Sequence, residues 1–282
     1  MQRAYAAMLP DGKRLHLQHG PIDLIVEAAG KGRQEAFARA VERFETVLEE
    51  LVSELSVLRL QNVGITSVQG AVARRMAVAV APFFGTFVTP MAAVAGAVAD
   101  EILSVITTTP EISKAYVNNG GDIAVHLGPG ESFQAAIAAS LPAKVTLAAD
   151  MPVRGLATSG WRGRSHSLGI ADSVTVLAAN AATADAAATL IANSVDLPRH
   201  PGIERTPAID LTPDSDLGNR RVTVAVPTLS ASERANALNP GLAKARAYRD
   251  RGLIAAAYLV LQGEVSQTGH LTLTAAGTEP VA

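Results

Sequence analysis

Cysteine is absent from all 282 residues. That removes disulfides, thiolate metal sites and cysteine nucleophiles together, and it leaves the redox compartment open. Aromatic residues make up only 4% of the chain, so close packing of helices through Ala and Gly is expected instead of an aromatic core. Net charge is small: 24 basic against 26 acidic residues give −2, which offers no electrostatic basis for a nucleic-acid partner or an acidic membrane surface. Residues 1–10 are too polar and too short for a secretory signal, and 12–16 add charge, so the expected location is cytoplasmic. Long apolar runs are scarce as well. Residues 76–99 carry no charge, yet Pro82 and Pro90 interrupt them and their apolar content is mainly Ala and Val. Two buried helices joined by a turn are expected there, with no membrane span. The P-loop, H-E-x-x-H, G-x-S-x-G and G-x-G-x-x-G signatures are missing, and the six histidines show no paired metal-ligand spacing.

What is present alternates between strand and helix patterns. Residues 15–17 and 22–27 form a hairpin around Gly20-Pro21. Phe37, Val41, Phe44, Val47, Leu48, Leu51 and Leu55 recur at helical steps and predict a helix over 33–60. Further helices are predicted at 68–80, 90–106, 181–194 and 232–251, with strands at 115–117, 123–127, 173–177, 222–226, 254–262 and 265–273. Residues 196–221 are polar and hold four prolines, and they read as a loop or surface excursion. The chain is therefore an α/β or α+β protein, expected as one domain over 1–282 that could divide into two intertwined subdomains.

Three constellations could carry chemistry. The first is Asn119, Gly120, Gly121 and Asp122 between two strands. Adjacent glycines let backbone amides approach an anion, although Asn-Gly between apolar runs is also a common hairpin turn. The second is Thr158, Ser159 and Gly160, a small hydroxyl cluster that could cradle phosphate or a flavin edge. His166 lies just after it and could serve as acid or base near neutral pH; the plainer alternative is a Gly/Ser-rich surface loop. The third is Asp185 with Thr189, whose spacing places a carboxylate and a hydroxyl on one helix face. Two such oxygens suit Mg2+, with phosphate and water completing its shell. Alone, the pair reads as a first-turn carboxylate and a packing threonine.

Taken in order, these pieces resemble the ApbE superfamily of FAD:protein FMN transferases. The likeness rests on Asn119-Gly120-Gly121-Asp122, Ala157-Thr158-Ser159-Gly160, Ser165-His166, the strand from Ser173 to Ala178, and Ala184-Asp185 with Thr189. Pro90 to Gly96, Ala157 to Leu168 and Ser215-Asp216-Leu217-Gly218 are similar to the uncharacterised ApbE-related family of bacteria and archaea. The resemblance implies an ApbE-like (T-fold-like) fold of mixed sheets packed with helices. It implies FAD and Mg2+ as cofactors, with Asp185, Thr189 and a carbonyl within 92–95 at the metal. It also implies attack by an acceptor protein's threonine on the FMN phosphorus with release of AMP. The chain departs from the transferases at Ala95, where they carry lysine, and in lacking an Asp-Pro-x-Thr-Gly segment after Ser165-His166. Two other functions stand beside this one. The chain could bind a small anionic or flavin-like ligand without turnover, or it could use residues 76–99 as a homo-oligomer interface.

Overall fold

The computed structural model describes residues 3–137, 143–269 and 273–275. In chain order the strands and helices are β1 (Tyr5–Met8), β2 (Arg14–His19), β3 (Ile22–Gly30), α1 (Arg33–Ser53), α2 (Leu55–Leu58), α3 (Ala71–Val80), α4 (Val94–Ile106), β4 (Ile112–Asn119), β5 (Asp122–Leu127), β6 (Ser132–Ile137), β7 (Ala143–Ala148), β8 (Gly155–Ser159), β9 (Ser173–Ala178), α5 (Ala181–Ala192), β10 (Glu204–Pro207), α6 (Ala208–Leu211), β11 (Arg221–Ala225), α7 (Ala231–Asp250), β12 (Ala256–Leu261), β13 (Glu264–Thr268) and β14 (Leu273–Ala275). The fold is mixed α/β with antiparallel pairing, as the sequence leads one to expect. Two compact units interleave along the chain.

The first unit comprises Met1–Glu131, Ala148–Ala157 and Ala178–Ala186. Its sheet runs β1-β2-β3-β4-β5, and β5 then pairs Ile123 and Ala124 with Leu156 and Gly155 of β8. Alternate residues of β2 and β3 (Leu15, Leu17, Leu24, Val26) are buried on one face, as strand periodicity requires. Helices α1 and α4 lie against this sheet and pack on each other, so Phe44, Val47, Ile102 and Ile106 fill the core. The long helix predicted over 33–60 is broken at Glu54, whose carboxylate leaves the helix line to accept the amides of Gln69 and Gly70 ahead of α3.

The uncharged stretch holds parts of two helices, α3 and α4, and the turn expected between them is a longer connection. After α3 the chain makes a 3-10 turn (Ala81–Phe83), exposes Phe84, and re-enters helix through a second 3-10 turn (Pro90–Ala93) before α4. Among the described residues no helix is long and apolar enough to cross a membrane.

One buried charge group organises the helix layer. Glu101 is only 6% exposed and accepts from Arg43 at 2.8 Å and Arg75 at 2.9 Å. Burial alone would raise its carboxyl, but the two guanidinium groups outweigh burial and hold it below the ordinary carboxylate value. Its contribution is therefore complete above the unfolded-state value of 4.5 and is lost as pH falls through the lowered folded-state value. Glu101→Gln is expected to cost about 2 kcal/mol at pH 7, because Arg43 and Arg75 lose their shared buried carboxylate while Arg43 keeps Glu50. The penalty shrinks in acid, so urea melts at pH 7 and pH 3 measure it; an equal penalty at both would contradict this account.

The second unit comprises Ser132–Leu147, Thr158–Leu177 and Ala187–Ala282. Strand β12 pairs with β9 on one side and β13 on the other, and all six of its residues are buried. Helix α7 lies against β12 and β13 and starts with a capping box in which Ser230 and Glu233 exchange hydrogen bonds. A small sheet joins β6, β7 and β14. The region read as a proline-rich loop holds more structure than expected: β10 pairs with β11, and the single turn α6 follows β10 directly. Pro207 is compatible with this because it ends a strand of a two-stranded sheet and precedes a helical turn. Arg205 ties the excursion down through Asp196 and the Leu168 carbonyl. The predicted strand over 265–273 ends at Thr268 as β13, and His270 lies outside the described residues.

Candidate functional site

The site begins with a two-residue hairpin turn. Asn119 and Asp122 are paired partners at the ends of β4 and β5. Gly120 and Gly121 therefore form the loop, at φ +64° and +113°, a backbone that side-chain-bearing residues rarely adopt. The Gly121 amide donates to Asn118 Oδ1 at 2.8 Å, so the turn spends that donor on itself. Asn119 is 5% exposed, and its Nδ2 donates to the Ala95 carbonyl at 3.1 Å. That bond fastens the turn to the first residues of α4.

Asp185 comes to the same place from α5. Its Oδ2 accepts the Gly96 amide at 3.0 Å, and the Ala95 amide also favours its ionised form. Ala95 and Gly96 are second and third in α4, where helix amides lack internal partners and favour negative charge. Asp100, further along α4, returns the bond: its two oxygens accept the Ala181 and Ala182 amides at 3.0 and 2.9 Å. Each helix thus has its first turn capped by a carboxylate from the other. The contact is close. A Cβ on Gly96 would lie 2.3 Å from the Ala181 carbonyl oxygen.

Burial, and then the charge of Asp122, push the Asp185 carboxyl well above the ordinary range; the Gly96 and Ala95 amides oppose this and Asp100 adds a smaller upward push. Burial also raises Asp100, against the Ala181 and Ala182 amides. Asp122 and Asp185 are therefore a pair of like charges that a cation would relieve. Among the described residues no group of three or more His, Cys, Asp or Glu side chains could hold a metal ion. A cation here would need other oxygens; Thr189, half-buried on α5, belongs to the second unit. A hard, oxygen-seeking ion fits this donor set.

Thr158, Ser159 and Gly160 belong to the second unit. The expected loop is instead the end of a strand, since Thr158 and Ser159 close β8. The hydroxyls of Thr158 and Thr175 lie 2.8 Å apart. Gly160 is required by packing, because a Cβ there would meet the Asp172 carbonyl oxygen at 2.3 Å. After it, Trp161 and Arg162 both donate to Asp172, and Arg162 lies over the Trp161 ring. His166 Nε2 lies 3.0 Å from the Thr212 hydroxyl. The structure thus brings Asn119, Gly120, Gly121, Asp122 and Asp185 together within one unit. From the sequence, Asp100 stands out only as the aspartate that this helix shares with the transferases in the resemblance, not as a candidate site residue; its bonds to α5 span 81 and 82 positions.

A family model described as AbpE bacteria matches residues 6–267. A UPF0280 protein of Methanopyrus kandleri is 34% identical over 175 residues, which is 61% of this chain and 69% of that relative. A UPF0280 protein of Methanothermobacter thermautotrophicus is 42% identical over 119 residues, 39% of this chain and 43% of that relative. Among solved structures, a histidine-to-glycine mutant of the flavin transferase ApbE from Vibrio cholerae superposes with a TM-score of 0.51 at 13% identity, over 91% of this chain and 97% of that one. That likeness is one of fold. The match across nearly the whole chain and the UPF0280 kinship place it: the chain belongs to the family described as AbpE bacteria, within the ApbE-like superfamily.

Proposed function

We propose that the chain binds FAD together with Mg2+ and acts on the FAD pyrophosphate, transferring FMN to an acceptor protein or hydrolysing it. The carrying observation is Asp185 at the start of α4, hydrogen-bonded to the Gly96 amide and raised first by burial and then by the charge of Asp122. Membership of the superfamily and the flavin transferase from Vibrio cholerae support the flavin class. Asp185, Thr189 and a carbonyl within 92–95 would hold the ion, and Asn119 would keep the hairpin turn against it. Mg2+ would supply charge neutralisation at the pyrophosphate. In the reaction, an acceptor hydroxyl or water forms a bond to the FMN phosphorus, the P–O bond to AMP breaks, and the acceptor's proton passes to a base. The glycines of the turn and the hydroxyls of Thr158 and Ser159 are the proposed flavin-nucleotide contacts.

Titrating FAD into the protein with and without Mg2+, and following AMP release, tests this reading. Saturable FAD binding that needs Mg2+ is expected; no binding in either condition ends it. His166 is the candidate base and has its own check. His166→Gln is expected to lower AMP release about 100-fold, within the usual range for lost acid–base catalysis, and to leave Mg2+ affinity unchanged. An undiminished rate would remove His166 from the reaction.

A second reading rests on Ala95, which stands where the transferases carry lysine. With one less cation for the pyrophosphate, the chain would bind the flavin nucleotide and not turn it over. Tight Mg2+-dependent binding without AMP at any metal concentration would select this reading.

A further inference from the structure

We infer that Asp100 is a positioning residue for the cation site, acting on Asp185 through the first turn of α5; this rests on the Mg2+ reading above. Helix α5 already has a local cap, since Asn180 Oδ1 accepts the Thr183 amide at 2.8 Å. The two remaining first-turn donors, Ala181 and Ala182, go to the two oxygens of the single Asp100 carboxylate. Two bonds from one rigid group to consecutive amides fix both the rotation of α5 about its axis and its position along it. Asp185 lies one turn further on and Thr189 one turn beyond that, so the same two bonds set where both oxygens face.

The arrangement is closed by Asp185 returning to Gly96, four residues before Asp100 on α4. The absence of a side chain at Gly96 allows this approach, because a Cβ would press into the Ala181 carbonyl. Here the capping residue and the capped helix's own carboxylate are interlocked, so a shift of one moves the other.

Mg2+ alone is the probe, titrated calorimetrically at 25 °C into the unsubstituted protein, Asp100→Asn and Asp100→Glu, with circular dichroism showing that each is folded. Asparagine keeps the shape but loses one acceptor and the charge; glutamate keeps the charge and displaces it. Both are expected to bind Mg2+ at least tenfold more weakly. Variants that melt lower but bind with unchanged affinity would reduce Asp100 to a structural cap and overturn the inference. Full affinity in Asp100→Glu would overturn it too, by showing that charge alone matters. Should neither variant fold, amide exchange in the unsubstituted protein decides: Mg2+ is expected to slow exchange at Ala181 and Ala182 together with Gly96, and unchanged rates at the first two count against it. If the unsubstituted protein binds no Mg2+, the cation reading itself fails and this inference goes with it. If Mg2+ binds and only the Asp100 arms fail, the cation reading stands.

Discussion

Asp185→Ala is expected to weaken Mg2+-dependent FAD binding by more than about 100-fold, since partners that merely orient a metal ligand already cost about 10- to 100-fold. The fold should survive, because Asp185 is half-buried and its described hydrogen-bond donor is a backbone amide. Asp185→Asn separates function from stability. A carboxyl raised in the folded state favours its neutral form there, whereas the unfolded chain ionises it near 3.8. The residue therefore costs no stability below that value. It costs progressively more as pH rises toward the raised folded-state value, and a constant amount above it. In metal-free buffer at pH 8, Asp185→Asn should accordingly melt higher than the unsubstituted protein, with the gap closing toward pH 4. Adding Mg2+ should reverse the order, since a ligand bound only by the folded state at 100 times its Kd contributes about 2.7 kcal/mol. Equal melting temperatures at pH 8 without metal, together with unchanged FAD affinity, would remove Asp185 from the site.

Gly155→Ala is expected to destabilise the protein by about 3 kcal/mol or to prevent folding, the upper range for forcing extra volume into a packed core. A Cβ on Gly155 would lie 2.0 Å from the Asn180 carbonyl carbon and 2.2 Å from the Ala181 nitrogen. These are backbone atoms at the start of α5, which Asp100 and Asn180 already hold, so neither side can yield cheaply. Gly64→Ala is the control: its backbone is ordinary and the nearest neighbour of a new Cβ is 3.9 Å away. It should be neutral or stabilising by up to about 1 kcal/mol, through the unfolded chain. Urea melts of the two variants measure both. A loss at Gly155 no larger than the change at Gly64 would mean that β8 and the start of α5 are not tightly joined.

The elements visible in the sequence are those whose cause is local. Helix α1 shows through its apolar spacing, the β4–β5 hairpin through Asn-Gly-Gly, and α7 through its length, where the capping pair Ser230 and Glu233 sharpens the boundary. Strand β8 is invisible because Gly155, Thr158 and Ser159 have loop composition, and Gly155 is there for clearance, not flexibility. The strand and turn inside 196–221 are hidden by prolines that a two-stranded sheet tolerates. For the site, the helical spacing of Asp185 and Thr189 was legible. Its partners were not: Gly96 is 89 positions away and the Asp100–Ala181 bond spans 81. No periodicity links residues so far apart.

That separation has a bearing on how the chain is made. The first unit draws on Met1–Glu131 but is complete only when Ala178–Ala186 has been added. At about 5–20 residues per second, the chain from Ser132 through Ala186 takes roughly 3–11 seconds to synthesise. Throughout that wait the start of α4 lacks the helix whose carboxylate takes the Gly96 amide, and Asp100 lacks the amides that it caps. The nascent chain therefore carries these groups unpaired for longer than it takes most small domains to fold.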